Sequence, residues 1–458
     1  MKKRIVLLSI FLLCIVSLQA QPAKNAIWMI ADGTGTSAMG LFMEAVRNTD
    51  LPQYPQKKSI LENFISAGVM GLYFDNTYDS IVTDSACAAT QMSTGQFSRP
   101  DYIGIDYDAR PQETLLEQAF SQGKVVGVVT DVYVADATPA GFLTHTKSRK
   151  NKYDIARQLV HSDAQVILGG GLKYFNTGEN KNLLKEAKEL GWQVVTNRKE
   201  LAKVKKGRVL GLFAKENMPF YGDREQYPQT PTLLEMTQKA VELLSQNEKG
   251  FVLMTEAGKV DWALHDNEAG PALWEMVNLD ETLSYLWQYA TQTGDTLLYL
   301  NADHETGMPA FEYRHLDPDA LAHKSAQGEM LYGSRKDTDY VAYAYYQNLW
   351  KHTHLLYYVY ADFKKLPPDE QTAEKLQNMC NEAMGMKTDL HFDGRVPSYN
   401  GLIAALNKAQ GMTWATKTHS SGMLIGVAYG PGAEDFAGVY HNTQLKEKFE
   451  KALGFKTE

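Results

Sequence analysis

Asn25-Ala26-Ile27-Trp28-Met29-Ile30-Ala31-Asp32-Gly33 is a short apolar run that closes on an acid and a glycine. It reads as a buried strand with Asp32 at its C-terminal end. Comparable runs recur at 125–130, 164–168, 251–255, 296–300 and 423–428. Between them, residues 112–121, 153–160, 182–190, 232–244 and 274–289 place apolar side chains three and four apart, the spacing of amphipathic helices. Strands alternating with helices predict an α/β fold: a doubly wound, mostly parallel sheet with helices on both faces. Ligands of such sheets bind beyond the carboxyl ends of the strands. Reactive side chains should therefore cluster just after the runs. Asp32, Glu256, Asp303 and His304 do so, whereas His419 lies just before its run and needs a loop to bring it back.

The 458 residues exceed one ordinary domain and suit a large α/β domain with insertions. Lys2, Lys3 and Arg4 precede an apolar run over 5–16, and Ala20 offers a small residue for cleavage, the pattern of a secretory signal peptide. The run is shorter than the ~20 residues a spanning helix needs, and no membrane span is expected after cleavage. Removal of those three bases leaves 43 Lys+Arg against 54 Asp+Glu, a net charge of −11. That balance argues against nucleic acid or anionic membranes as partners. Of the cysteines, Cys87 and Cys380 remain in the mature chain, too few for a disulfide framework, and Cys87 is expected as a buried free thiol. The glycine stretches 35–40 and 169–171 match neither a phosphate loop nor a dinucleotide fingerprint and are expected as tight turns.

Thr83-Asp84-Ser85-Ala86-Cys87-Ala88-Ala89-Thr90 reads as a helix whose first turn carries Ser85. Unpaired N–H groups and the dipole make that position hospitable to phosphate, although Asp-Ser is also an ordinary capping pair. Asp261 and His265 are four apart, hence on one helical face, as two ligands of one ion or as a surface ion pair. Asp303-His304 is a second N/O pair, Asp32 a further carboxylate, and His419 could complete a site. Asp136, Thr138 and Arg149 follow the run at 125–130, and arginine grips phosphate through two parallel hydrogen bonds. A serine, an Asp/His cluster and an arginine on the strand ends of one sheet suit phosphoryl transfer assisted by two metal ions.

The chain resembles the alkaline phosphatases. The resemblance rests on residues 31–33, 83–86, 136–140, 148–150, 256–265, 302–304 and His419, and covers most of the mature chain outside 311–410. It implies an exported, periplasmic or secreted phosphomonoesterase acting on small phosphate monoesters through a phosphoserine intermediate. By the family pattern two Zn2+ and one Mg2+ are held per chain. One zinc takes Asp261, His265 and His419; the other takes Asp32, Asp303 and His304, with Ser85 reaching toward it. The third site takes Asp32, Thr138 and Glu256, with Asp136 acting through water. Asp84 steadies Arg149, which holds two phosphate oxygens. The chain departs from the pattern at Trp262, where the best-known members carry lysine or histidine, and this leaves the third metal and the pH optimum open. The family is often dimeric, so a homodimer is the expectation.

Residues 311–410 are rich in tyrosine (Tyr332, Tyr340, Tyr343, Tyr345, Tyr346, Tyr357, Tyr358, Tyr360) and interrupt the β/α rhythm. They are expected as an inserted subdomain, a cap or an interface, within a core of 21–310 and 411–458. His352 and His354 within it are either a metal pair or ordinary surface residues. Two other functions compete: a phosphodiesterase of the same superfamily, and a non-catalytic zinc- or phosphate-binding protein. Arg149 counts against the first, because a diester offers one charged oxygen fewer, and an intact Ser85 beside a full ligand set counts against the second.

Overall fold

A computed structural model describes residues 21–311, 349–385, 388, 390, 392 and 394–455. Fourteen strands occur among them in the order β1 (Asn25–Ala31), β2 (Val69–Phe74), β3 (Val125–Tyr133), β4 (Val166–Gly170), β5 (Gln193–Val195), β6 (Val209–Leu212), β7 (Phe251–Ala257), β8 (Thr296–Asn301), β9 (Glu305–Thr306), β10 (Pro309–Phe311), β11 (Met412–Trp414), β12 (His419–Ser420), β13 (Leu424–Tyr429) and β14 (Gly438–His441). Ten form one sheet in the order β14-β2-β13-β8-β1-β7-β3-β4-β6-β5. All neighbours run parallel except β13, which is antiparallel to both β2 and β8. The doubly wound, mostly parallel α/β expectation holds.

Both faces of the central strands are buried, and β1 shows how. Ile27, Met29 and Ala31 join one core cluster while Ala26, Trp28 and Ile30 join the other. Alternate side chains therefore face opposite layers, which is why the run is apolar throughout rather than alternating. Helices Thr36–Arg47, Leu233–Leu244 and Ala269–Thr293 cover the first face; Ser85–Thr94, Leu115–Ser121, Lys152–His161 and Leu445–Leu453 cover the second. Thr114 with Glu117, and Thr232 with Glu235, form reciprocal capping boxes that fix where two of these helices begin.

Two details correct the sequence reading. Residues 35–40 are not a tight turn: Gly35 is the N-cap of helix Thr36–Arg47 and Gly40 lies inside it. Residues 169–171 close β4, and only Gly171, at φ +94°, makes the turn. His352 is not a surface residue either. It is fully buried with Nε2 3.1 Å from Glu268 Oε2, because Glu268 also receives the N–H groups of Leu356 and Tyr357 at the start of helix Leu356–Phe363. His354 is partly exposed and paired with Asp223.

Helices Leu356–Phe363, Ala373–Ala383 and Tyr399–Gln410 pack around a cluster of their own that contains Leu376, Cys380, Leu402 and Leu406. Cys87 and Cys380 are both buried free thiols. The signal segment 1–20 and the tyrosines at 332, 340, 343, 345 and 346 lie outside the described residues. No described helix is long and apolar enough to cross a membrane.

Candidate active site

Four adjacent strands, β8-β1-β7-β3, deliver the candidate residues from one end of the sheet. Asp32 follows β1, Glu256 is the penultimate residue of β7, Asp303 and His304 follow β8, and Asp136 and Thr138 follow β3. Asp261 and His265 sit on helix Lys259–His265, which leaves β7 directly. Asp131 of β3 holds the start of that helix, its Oδ1 accepting from the N–H groups of Gly258 at 2.7 Å and Lys259 at 3.1 Å. His419 arrives on a two-residue ribbon, β12 pairing antiparallel with β9 so that His419 lies opposite Thr306. That ribbon is the loop that the sequence required.

Ser85 is the first residue of helix Ser85–Thr94, and the Asp84 side chain caps it by accepting from the N–H of Cys87 at 3.0 Å. Ser85 Oγ lies 3.1 Å from His304 Nε2. The same nitrogen is 3.1 Å from Asp303 Oδ2 and 3.7 Å from Asp32 Oδ1. Ligand atoms of Asp261, His265 and His419 lie within 4.8 Å of one another, and so do those of Asp32, Asp261 and His304.

Hydrogen bonding fixes which ring nitrogens are free. His265 Nδ1 is 2.7 Å from the Lys417 carbonyl and His419 Nδ1 is 2.8 Å from the Thr83 carbonyl, so each must carry the proton and donate it. Their Nε2 atoms then bear lone pairs, yet they face each other at 3.1 Å. Two acceptors at that distance repel unless a cation lies between them. Thr306 Oγ1 donates to Asp261 Oδ1 at 2.6 Å and so accepts from His304 Nδ1 at 3.2 Å, leaving His304 Nε2 with its lone pair as well. Asp32 Oδ1 and Asp303 Oδ2 are buried without a hydrogen bond. Three imidazole lone pairs and two orphaned carboxylate oxygens fit divalent metal, zinc above all.

Electrostatics agree. Burial, then the carboxylates of Asp303, Asp261 and Glu256, push the Asp32 carboxyl well above the usual range. Burial and Asp261 push Asp303 up to about 7, and burial pushes Glu256 up to about 8. Burial holds His304 well below its ordinary value, with His419, His265 and Arg149 adding to it; burial also lowers His419. A cluster of crowded acids and neutral imidazoles is what a dication resolves.

Arg149 Nη1 donates to Asp84 Oδ2 at 3.3 Å and Nη2 to Asp136 Oδ1 at 3.4 Å. Thr138 Oγ1 lies 3.4 Å from Asp32 Oδ2, and Glu256 accepts from Thr130 Oγ1. Burial alone would raise Asp136, but Lys152 and Arg149 outweigh it and hold the carboxyl below the usual range. Every residue expected from the sequence thus lies in one constellation. Sequence reasoning missed Thr306, Thr130 and Lys152. Thr306 stands two residues beyond His304 and Lys152 three beyond Arg149, a proximity that was the only available signal. Trp262 sits edge-on to Tyr133, ring centroids 6.3 Å apart.

A family model described as alkaline phosphatase matches residues 23–455. Alkaline phosphatase 4 of Bacillus subtilis is 31% identical over 442 residues, covering 94% of this chain and 88% of that protein. The crystal structure of a cold-active alkaline phosphatase from a psychrophilic Shewanella superposes with a TM-score of 0.76 at 29% identity, covering 94% of this chain and 99% of that one. The Thermus thermophilus alkaline phosphatase shares the fold, with a TM-score of 0.81 at 24% identity over 96% of this chain and 94% of that one.

Proposed function

The chain belongs to the alkaline phosphatase family, and from that membership we propose that this phosphomonoesterase works by transferring the phosphoryl group of small monoesters to Ser85. The observation that carries the proposal is the set of three lone-pair imidazole nitrogens, His304 Nε2 at 3.1 Å from the Ser85 hydroxyl and those of His265 and His419 facing each other at 3.1 Å.

Asp261, His265 and His419 would hold one zinc, and Asp32, Asp303 and His304 a second. Asp32, Thr138 and Glu256, with Asp136 through water, would hold magnesium. When bound, such ions lower the pKa of nearby hydroxyls and neutralise charge on the reacting oxygens. Arg149 binds two non-bridging oxygens of the phosphoryl group through its planar fork. Asp84 and Asp136 each take one arm of that fork, at 3.3 and 3.4 Å, and hold the guanidinium beside Ser85's helix without closing it into a tight pair. Ser85 Oγ then forms the bond to phosphorus as the ester P–O bond breaks, and the proton it gives up leaves with the departing alcohol. Water attacks phosphoserine from the side the alcohol left, releasing inorganic phosphate and restoring Ser85.

The 1–20 segment supports export to the periplasm or the medium. Residues 311–410 are proposed as an inserted cap or subunit interface, and a homodimer is proposed with them, testable by sedimentation. The test of function is hydrolysis of an aryl phosphate by mature protein reconstituted with zinc and magnesium. Chelation should abolish it and both metals together should restore it. Full activity in metal-free protein, or preference for a matched diester, overturns the proposal.

A further inference from the structure

One oxygen of Asp136 is shared by two cations. Its Oδ1 accepts from Lys152 Nζ at 3.1 Å, from Arg149 Nη2 at 3.4 Å and from the N–H of Ala137 at 2.8 Å. Arg149's other arm lies 3.3 Å from Asp84 Oδ2. Both Arg149 contacts are long for charge-assisted hydrogen bonds, which cluster near about 2.7–2.9 Å. Lys152 holds the nearer share. Its ammonium sits 4.7 Å from the centre of the Tyr133 ring, and Tyr133 in turn meets Trp262, so an aromatic wall backs the charge. The Lys152 and Arg149 side chains are 15% and 26% exposed, so both charges are largely sheltered from bulk water.

Charge counting shows what Lys152 does. Asp84, Asp136, Arg149 and Lys152 together are neutral. Without Lys152, one guanidinium would face two carboxylates, leaving a net negative charge beside an incoming phosphate dianion. Asp136 would also be free to draw Arg149 into a tight pair, away from substrate. We propose that Lys152 is a positioning residue for the phosphate clamp: by occupying Asp136 it keeps Arg149 loosely divided between two acids and free to turn its fork onto the phosphoryl oxygens. The proposal rests on the phosphomonoesterase reading with Arg149 as the clamp, and it places on Lys152 a positive charge that Trp262 cannot supply.

The experiment compares parent, Lys152→Ala, Lys152→Arg, Arg149→Ala and the exposed neighbour Lys150→Ala, all loaded with zinc and magnesium. Readouts are the inhibition constant of inorganic phosphate, KM and kcat separately, and metal content by elemental analysis. Lys152→Ala should weaken inhibition by phosphate about 10-fold and raise KM similarly, with unchanged metal content. Lys152→Arg should recover most of the loss, and Lys150→Ala should match the parent. Unchanged phosphate inhibition in Lys152→Ala overturns the proposal even if the variant melts earlier, since a purely structural lysine would move only stability. Loss of metal from Lys152→Ala overturns it as well, by placing the effect at the metal sites. A parent without monoesterase activity overturns the underlying reading, and a parent sensitive to Arg149→Ala but indifferent to Lys152 overturns this inference alone.

Discussion

Thr306 Oγ1 donates to Asp261 Oδ1 at 2.6 Å and lies 3.2 Å from His304 Nδ1. One hydroxyl therefore ties a ligand of one proposed zinc to a ligand of the other and fixes the His304 tautomer. Outer partners of this kind typically contribute 10–100-fold to metal affinity. Thr306→Val keeps the shape and removes the hydroxyl. Its zinc affinity, measured by competition with a chromophoric chelator, should fall by about 10–100-fold. Parent-like affinity would mean the hydroxyl orients neither ligand.

Metal uptake should release protons. With Asp303 pushed to about 7 and Glu256 to about 8, the metal-free site carries protons at pH 7 that a dication must displace. Titrating zinc and magnesium into stripped protein in buffers of different ionisation enthalpy should show release of about one proton or more per chain. Apparent affinity should fall as the pH drops below about 7. Heats independent of buffer would contradict the crowding of these acids.

Arg149→Ala separates monoesters from diesters. Each charge-assisted hydrogen bond contributes about 1.5–3 kcal/mol, and water entering the gap recovers part of a lost pair. The variant's kcat/KM on an aryl monoester should fall by roughly two to three orders of magnitude. A matched diester should start far slower and lose much less. Equal losses would remove Arg149 from the clamp.

Asp280 provides a stability test away from the site. Its buried carboxylate accepts from the N–H groups of Ile60 at 3.1 Å and Leu61 at 2.6 Å, bonding helix Ala269–Thr293 to the start of helix Ile60–Ala67. Burial pushes the carboxyl up to about 6, with those N–H groups opposing it. A folded value above the unfolded one means the fold holds the extra proton. Its stabilising contribution is complete below about pH 4 and is lost as the pH rises through about 6. Urea unfolding of parent and Asp280→Asn should show the parent losing about 2 kcal/mol relative to the variant between pH 4 and pH 7. A difference flat with pH would mean that Asp280 does not titrate in this window.

The strands legible in the sequence were those buried on both faces, where an unbroken apolar run is the only solution. β1, β3, β4, β7, β8 and β13 announced themselves this way. β2 did not, because Met70 and Phe74 are exposed and Gly71 interrupts it; β5 has three residues and β6 four, too few to establish a period. β14 hid behind an exposed Val439 and a Gly438 at φ +101°. The proposed metal and phosphate residues were readable because strand ends concentrate them. Their supporting partners were not. The Lys152–Asp136 and Thr306–Asp261 contacts join residues 16 and 45 apart in sequence, and neither residue type marks such a role by itself. His352 was misread for the opposite reason: a histidine in a polar stretch gives no hint that Glu268 lies 84 residues earlier to bury it.

Phosphoryl transfer to Ser85 is the centre of this account, and acid-quench labelling tests it most directly. Metal-loaded parent and Ser85→Ala are mixed with labelled inorganic phosphate or aryl phosphate, quenched in acid and digested, and the labelled peptide is sequenced. The parent should carry the label on Ser85, while Ser85→Ala should carry none and retain nearly all its zinc, because the proposed metal ligands are other residues. Label on a different residue, or labelling of Ser85→Ala equal to the parent, would contradict the account.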